Sequence, residues 1–358
     1  MNVRELRVTD LRVLADVVVA PTPGWNVLIG PNGAGKTSLL EAAYLLSHGR
    51  SFRSTVREAL VREGCRGYSV FGEIERGAQR LRVGLARSGR GVESRIDGAL
   101  VPLGELLRQI AVVCFEPGSH ELIAGPSDER RRFLDWGVFH VEHAFLPTWR
   151  RYQRVLKQRN VLLRRLAGPD ELDPWNRELA RAAEPLALMR RAYFDAIVPY
   201  VRPLLASLLP ELGEPAIEFD PGYDDSTPLE QVLHERFARD LARGSTGRGP
   251  HRADWSIAFA AARRRDHLSR GQQKLSAFAF VLAQAQLYAD RAGEWPIICL
   301  DDLASEIDAQ HQRRVLREVA ASGAQVFLTG TEVPTALVDT VPDAAMFHVE
   351  HGQVARVR

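Results

Sequence analysis

Apolar and polar positions alternate along the first 30 residues in the way of half-buried strands, around Val3–Val8, Asp16–Ala20 and Trp25–Ile29. The turn signal Pro21-Thr22-Pro23-Gly24 separates the last two runs. Short runs of this kind, cut by proline and glycine, predict strands. The period then lengthens, and Ser38 to His48 reads as a helix ended by Gly49. From Gly67 to Asp97 alternating runs broken by Gly77, Gly84, Gly89 and Gly91 predict a hairpin-rich sheet, and Ala111–Phe115 reads as one more buried strand. From Ser127 to about Leu209 the pattern is helical, with Pro and Gly breaks near 168–174. After Asp254 the alternation of helix and strand returns. A long helix follows Gly271, then a strand at Ile297–Leu300, a helix near 308–321, a strand at Gln325–Thr329 and a closing hairpin around 346–357. The expected class is α/β: a discontinuous domain of residues 1–125 and 245–358, interrupted by a mainly helical lobe at 126–244.

Composition narrows this only slightly. The 358 residues are 45% apolar and 26% charged, ordinary for a globular chain able to bury one large or two modest cores. The apolar runs fall short of the roughly 20 residues a membrane helix needs, and the N-terminus MNVRELRVTD has no apolar signal core, so a cytoplasmic protein without membrane contact is expected. Cys65, Cys114 and Cys299 are widely spaced and read as buried core thiols. A net charge of +2 neither demands nor excludes nucleic acid. Of 47 basic residues only Lys36, Lys157 and Lys274 are lysine, so this chain keeps lysine where a compact ammonium is useful. Two of the three fall inside motifs.

Gly30-Pro31-Asn32-Gly33-Ala34-Gly35-Lys36-Thr37 fits the phosphate-loop pattern in full, with a strand before it and a helix after it. Glycines let backbone amides curl around a phosphate at a helix N-terminus. Lys36 then reaches the β- and γ-phosphates of ATP, and the Thr37 hydroxyl sits on Mg²⁺. Ile297-Ile298-Cys299-Leu300-Asp301-Asp302 is an apolar strand ending in two carboxylates. Asp301 is the candidate magnesium ligand and Asp302 the candidate base that orients the attacking water. Leu268-Ser269-Arg270-Gly271-Gln272-Gln273-Lys274 opens a long helix and is similar to the L-S-G-G-Q signature, with Arg270 in place of the first glycine. By itself this stretch reads better as a helix cap, Ser269 holding amides and Gln272 at the third position. About 30 residues later comes the carboxylate strand, followed by Ser305-Glu306-Ile307-Asp308, which looks like the D-loop of the same class. Order and spacing together point to an ABC-type P-loop ATPase head.

On these motifs the chain resembles the RecF family over essentially its whole length. Phe133-Leu134-Asp135-Trp136, Lys157-Gln158-Arg159-Asn160 and Gly249-Pro250-His251-Arg252 carry the likeness outside the ATPase motifs. The resemblance implies a cytoplasmic, nucleoid-associated bacterial protein that binds ATP and DNA and acts with RecO and RecR at gapped or stalled templates, helping RecA to load. One phosphate loop and one signature per chain imply an ATP-dependent homodimer with two composite sites, in which Ser269, Gly271 and Gln272 of one copy meet the γ-phosphate held by the other.

The candidate DNA surface rests on charge. Between Asp128 and Leu166 ten basic residues face four acidic ones, and Arg150, Arg151, Arg154, Lys157 and Arg159 are taken as its contacts, with Trp149 and Tyr152 among them. Arg76, Arg80, Arg82, Arg87 and Arg90 form a second basic group on the hairpins. Competing readings are a transporter ATPase subunit, against which stand roughly 230 residues between phosphate loop and signature, and an SMC-like structural protein, whose long coiled coil has no room here. A third is an ATP-binding scaffold without direct DNA contact.

Asp302 stands where many ABC ATPases carry glutamate, one methylene longer. The strand Phe327-Leu328-Thr329-Gly330-Thr331 offers no switch histidine. Both departures predict slow hydrolysis. Stopped-flow phosphate release is expected to give a turnover below several per second, and a faster rate would refute the expectation.

Overall fold

The short-period runs of the first third form β1 (Asn2–Leu11), β2 (Leu14–Val19), β3 (Trp25–Ile29), β4 (Gly67–Arg76), β5 (Gln79–Ser88), β6 (Gly91–Ile96), β7 (Ala99–Leu100) and β8 (Val112–Phe115). Later in the chain come β9 (Pro215–Asp220), β10 (Asp254–Phe259), β11 (Ile297–Leu300), β12 (Val326–Gly330), β13 (Ala345–Glu350) and β14 (Gln353–Arg356). These are the strands of a computed structural model that describes residues 1–89 and 91–357, with Arg57 by its backbone alone. The chain divides into two compact units.

The first unit comprises Met1–His120, Pro203–Pro210 and Ser269–Arg358. It holds two six-stranded sheets, an antiparallel one in the order β2-β1-β4-β5-β6-β7 and a mixed one in the order β14-β13-β3-β12-β11-β8. In the second, β13, β3, β12, β11 and β8 run parallel, and β14 closes the edge as a hairpin partner of β13. Strands β11 and β12 are buried at every position, as parallel strands covered on both faces must be. The antiparallel strand β4 instead alternates buried positions with half-buried or exposed ones.

Between the sheets lies the helix Lys36–His48, which packs against β1, β4 and β5 of one and β8 and β12 of the other. Eleven of its thirteen residues are buried, which explains why Leu39, Leu40, Ala42, Ala43, Leu45 and Leu46 leave no polar face. The helix stops at Gly49, whose positive φ lets its amide turn back to Leu45 O at 2.8 Å. One carboxylate is buried in this apolar helix, that of Glu41. Arg12 compensates it through two bonds of 2.9 Å, and Ser51 donates a third. The glutamate thereby ties the β1–β2 turn to the loop after the helix. The Cys114 and Cys299 thiols lie on adjacent strands in register, while Cys65 is half-exposed rather than core.

The second unit comprises Glu121–Arg202 and Glu211–Leu268. It contains the helices Ser127–Val141 and Phe145–Arg164, most of the helix Pro169–Leu208, and the antiparallel pair β9–β10. The unit therefore starts at 121 and ends at 268, where the sequence suggests 126 and 244. Strand β10 reads locally as the return of the α/β domain, yet its partner is β9, with Ile257 opposite Ile217. The helical break also narrows to the few residues before Pro169, which costs nothing at the first position of a helix because its missing N–H has no partner to lose.

Three buried arginines hold this unit together. Arg130 makes a two-pronged pair with Asp254 (2.5 and 3.1 Å) and donates to Gly125 O. Arg190 grips Asp135 (2.7 and 2.9 Å) and donates to Pro250 O. Arg159 donates to Asn176, Asp240 and Thr246 at 2.7–2.9 Å. Each guanidinium is at most 3% exposed, so each depends on its partners to offset lost hydration. Replacing Arg159 by Met leaves Asp240 charged and buried, and is expected to cost about 3–5 kcal/mol. The double variant Arg159→Met, Asp240→Leu should recover most of it in denaturant unfolding of the full chain, whereas equal losses would show that the pair is not the cause.

Candidate functional site

The ends of β3, β11 and β12 meet in the first unit, and they bring the phosphate loop to the carboxylates. Strand β3 runs into Gly30, and a Cβ on Gly30 would lie 1.9 Å from Val349 O of β13. Only glycine lets the two backbones approach so closely. Gly33 and Gly35 have positive φ, and Gly35 caps the helix that begins at Lys36. The Lys36 ammonium is buried and donates to the loop's own carbonyls, Gly30 O at 2.6 Å and Pro31 O at 2.8 Å. Burial holds its pKa below the ordinary lysine value, against the opposing pull of Asp302 and Asp301. Gly352 N donates to Ala34 O at 2.9 Å, so the β13–β14 hairpin braces the loop.

Asp301 is 3% exposed. Its Oδ1 accepts from Thr37 Oγ1 at 2.9 Å and from Thr329 Oγ1 at 2.6 Å. Burial pushes its carboxyl up, and the two hydroxyls and the Arg53 charge pull it back. Asp302 has a left-handed backbone (φ 52) and donates its amide to Thr329 Oγ1 at 2.9 Å. Such a conformation is strained for a residue with a side chain and persists where the surroundings enforce it. Thr329 thus serves both acidic residues. It stands in the strand where the sequence offered no switch histidine, and local reading does not single it out. Arg53 was likewise not singled out; its loop is held by Ser51, whose Oγ accepts from Arg53 N and Ser54 N.

Ser269 and Gln272 form the capping box of the helix Arg270–Ala292, with Ser269 Oγ accepting from Gln272 N (3.2 Å) and Gln272 Oε1 from Ser269 N (3.0 Å). Within one chain the cap reading therefore accounts for these two side chains, and Ser269, Arg270 and Gly271 remain exposed. Lys274 is buried and pairs with the Glu306 carboxylate, also donating to Glu306 O. The signature helix and the segment after Asp302 are thereby tied. Asp308 caps the helix Ala309–Ala320.

The basic surfaces separate sharply. On the hairpins Arg76 pairs with Glu294, Arg80 with Glu73 and Arg87 with Glu58, while Arg90 lies outside the described residues. That group is largely neutralised. On the helix Phe145–Arg164, Arg150, Arg151, Arg154 and Lys157 are exposed. Arg159 is not: it is fully buried against Asp240 and cannot meet a phosphate, which removes it from the DNA-contact set. It shares a stripe with Tyr152, Leu156 and Leu163, a spacing that marks the apolar face. Tyr152 is also buried; its hydroxyl donates to His251 Nδ1 at 2.6 Å, and His251 Nε2 donates to Thr246 O. Burial lowers the His251 pKa to about 4, so the ring is neutral and structural. The aromatic residue beside the exposed arginines is Trp175, from the next helix.

Residues 2–338 match the family model described as RecF/RecN/SMC N terminal domain. The chain is 48% identical over 365 residues to the DNA replication and repair protein RecF of Stenotrophomonas maltophilia (strain R551-3), covering all of both chains. It is 47% identical to the protein of that name from Xanthomonas axonopodis pv. citri (strain 306), covering 99% of each. Among solved structures, that of the recombination mediator protein RecF with ATP superposes with a TM-score of 0.89 at 24% identity, covering 99% of this chain and 97% of the other. An SMC head bound to the C-winged helix domain of ScpA gives 0.62 at 14% identity, covering 100% and 97%. These structural likenesses are of fold.

Thr329→Val removes the hydroxyl that donates to Asp301 and accepts from Asp302. Affinity for magnesium–ATP is expected to fall roughly tenfold, the usual order for a lost hydrogen bond to a charged group. Affinity for nucleotide without magnesium should stay within about twofold, since the phosphate loop is untouched. Titration of a fluorescent ATP analogue with and without the ion checks both halves, and equal losses would place the effect elsewhere.

Proposed function

The chain belongs to the RecF family, and from that membership we propose that it is an ATP-switched DNA-binding protein of recombinational repair and replication-gap processing. The observation that carries this is the junction of Thr37, Asp301 and Thr329, which joins the phosphate loop to the Asp301 carboxylate and the Asp302 amide at the ends of three parallel strands. Gly30 to Thr37 would bind ATP, with Lys36 leaving the loop carbonyls for the phosphates. Thr37 and Asp301 would hold a magnesium ion, for which an all-oxygen donor set is suitable, and the ion would neutralise phosphate charge. Asp302 would orient the attacking water. Its short side chain, and a threonine where a histidine is common, fit a slow switch better than a motor.

A head with one phosphate loop and one signature completes its site with a second copy. Ser269, Gly271 and Gln272 of one protomer would meet the γ-phosphate bound by the other, so ATP favours the dimer and hydrolysis releases it. The ion pair of Lys274 with Glu306 supports this, because it keeps the signature helix and the D-loop in one arrangement on each protomer. The exposed face of Arg150, Arg151, Arg154 and Lys157 would track the phosphates of DNA without reading sequence. RecR and RecO are the proposed protein partners, with RecA acting downstream. Among the described residues no helix is long and apolar enough to cross a membrane.

Light-scattering mass is expected to double with ATP and to stay monomeric with ADP. Ser269→Arg, which places charge and bulk at the trans contact, should abolish the doubling while leaving ATP binding to the monomer intact. A Ser269→Arg protein that dimerises normally would refute the composite site. Lys36→Arg should instead weaken nucleotide handling itself.

A further inference from the structure

The helices Phe145–Arg164 and Pro169–Leu208 enclose an open groove of about 550 Å³ in the second unit. Pro147, Val155 and Trp175 give it an apolar surface. Arg150, Arg151 and Arg154 line it with Glu178, three positive charges against one negative. Glu178 is already engaged, accepting from Arg151 at 2.7 and 2.8 Å. Arg150 and Arg154 are exposed and make no ion pair among the described residues, which leaves the groove a net of two positive charges.

We propose that this groove binds an unpaired nucleotide of a single-stranded segment, its base stacked on Trp175 and its flanking phosphates on Arg150 and Arg154. The inference rests on the DNA reading above and adds to it a subsite that a continuous duplex does not fill. Three features select the ligand. Arg150 and Arg154 are one helical turn apart, about 6 Å along the axis, a spacing suited to successive phosphates of an extended strand. Arginine has donors and no acceptor, and the one carboxylate already accepts from Arg151 through Oε1, so the lining holds more donors than acceptors and suits a ligand rich in acceptors. Trp175 is half-exposed and offers a flat face, and stacking of this kind tolerates any base. A paired base is shielded from that face by its own stack, so only an unpaired one fits.

The test compares binding of the full chain, with ATP, to a duplex and to the same duplex carrying a short single-strand gap that contains a fluorescent adenine analogue. The expected result is tighter binding to the gapped DNA with quenching of the analogue. Trp175→Leu should weaken gap binding by roughly tenfold and leave duplex binding within about twofold. Trp175→Phe should restore most of the loss, which a merely structural role would not predict. Equal binding of gapped and intact duplex, or a gap preference that survives Trp175→Leu, overturns the groove while leaving the basic face standing. No binding of either DNA overturns the DNA reading and the groove with it. Displacement from the groove by a short acidic, aromatic peptide but not by single-stranded DNA would also overturn it, in favour of a protein contact.

Discussion

The buried carboxylate of Asp301 is the constraint around which the head is arranged. Removing a charge from water is costly unless donors replace the lost hydration, and here two hydroxyls from distant parts of the chain do so, Thr37 and Thr329. Each sits at the end of a strand or the start of a helix that the parallel sheet brings alongside β11. Satisfying one oxygen therefore requires the order β3-β12-β11 to be correct, the phosphate loop to be seated and β12 to be in register. The same threonine accepts from Asp302 and holds that residue in a left-handed conformation. The proposed nucleotide site and the sheet order share this junction, so a defect in the strand order would displace the site's residues.

The second unit applies the same physics to buried arginines. Asp135 of Phe133-Leu134-Asp135-Trp136, Arg159 and Asn160 of Lys157-Gln158-Arg159-Asn160, and Pro250 and His251 of Gly249-Pro250-His251-Arg252 lie far apart in sequence but join one buried network. Asp135 holds Arg190, which reaches Pro250 O; His251 meets Tyr152; Thr246 links Arg159 to Asn160. These particular residues are internal structure, whereas Lys157 stays exposed. Buried arginines keep their charge and need several acceptors in fixed positions, so such a network specifies one arrangement of the helices better than apolar packing would.

Surface charge divides along similar lines. On the hairpins Arg80 pairs with Glu73 across the sheet, while Arg76 and Arg87 pair with Glu294 and Glu58 from outside it, and such exposed pairs contribute little net field. Those on the helix Phe145–Arg164 project from its polar face, and Arg150, Arg154 and Lys157 remain uncompensated among the described residues. Counting basic residues along the chain could not separate these cases. Pairing depends on what stands opposite, which a linear count does not see.

Local structure was legible in the sequence. The phosphate loop, the strands Trp25–Ile29 and Ile297–Leu300, the helix end at Gly49 and the cap at Ser269 follow from periodicity, turn residues and spacing, which act over a few residues. The buried position of Arg159 was also there to be read, from its spacing with Tyr152, Leu156 and Leu163. Tertiary structure alone decided the rest. It paired β10 with β9 and so moved the unit boundary, set Gly30 against Val349, gave Thr329 its two acidic partners and brought Trp175 to the arginines. Each of these is a contact between segments distant in sequence, and neither propensity nor motif encodes which distant group completes a hydrogen bond or fills a groove.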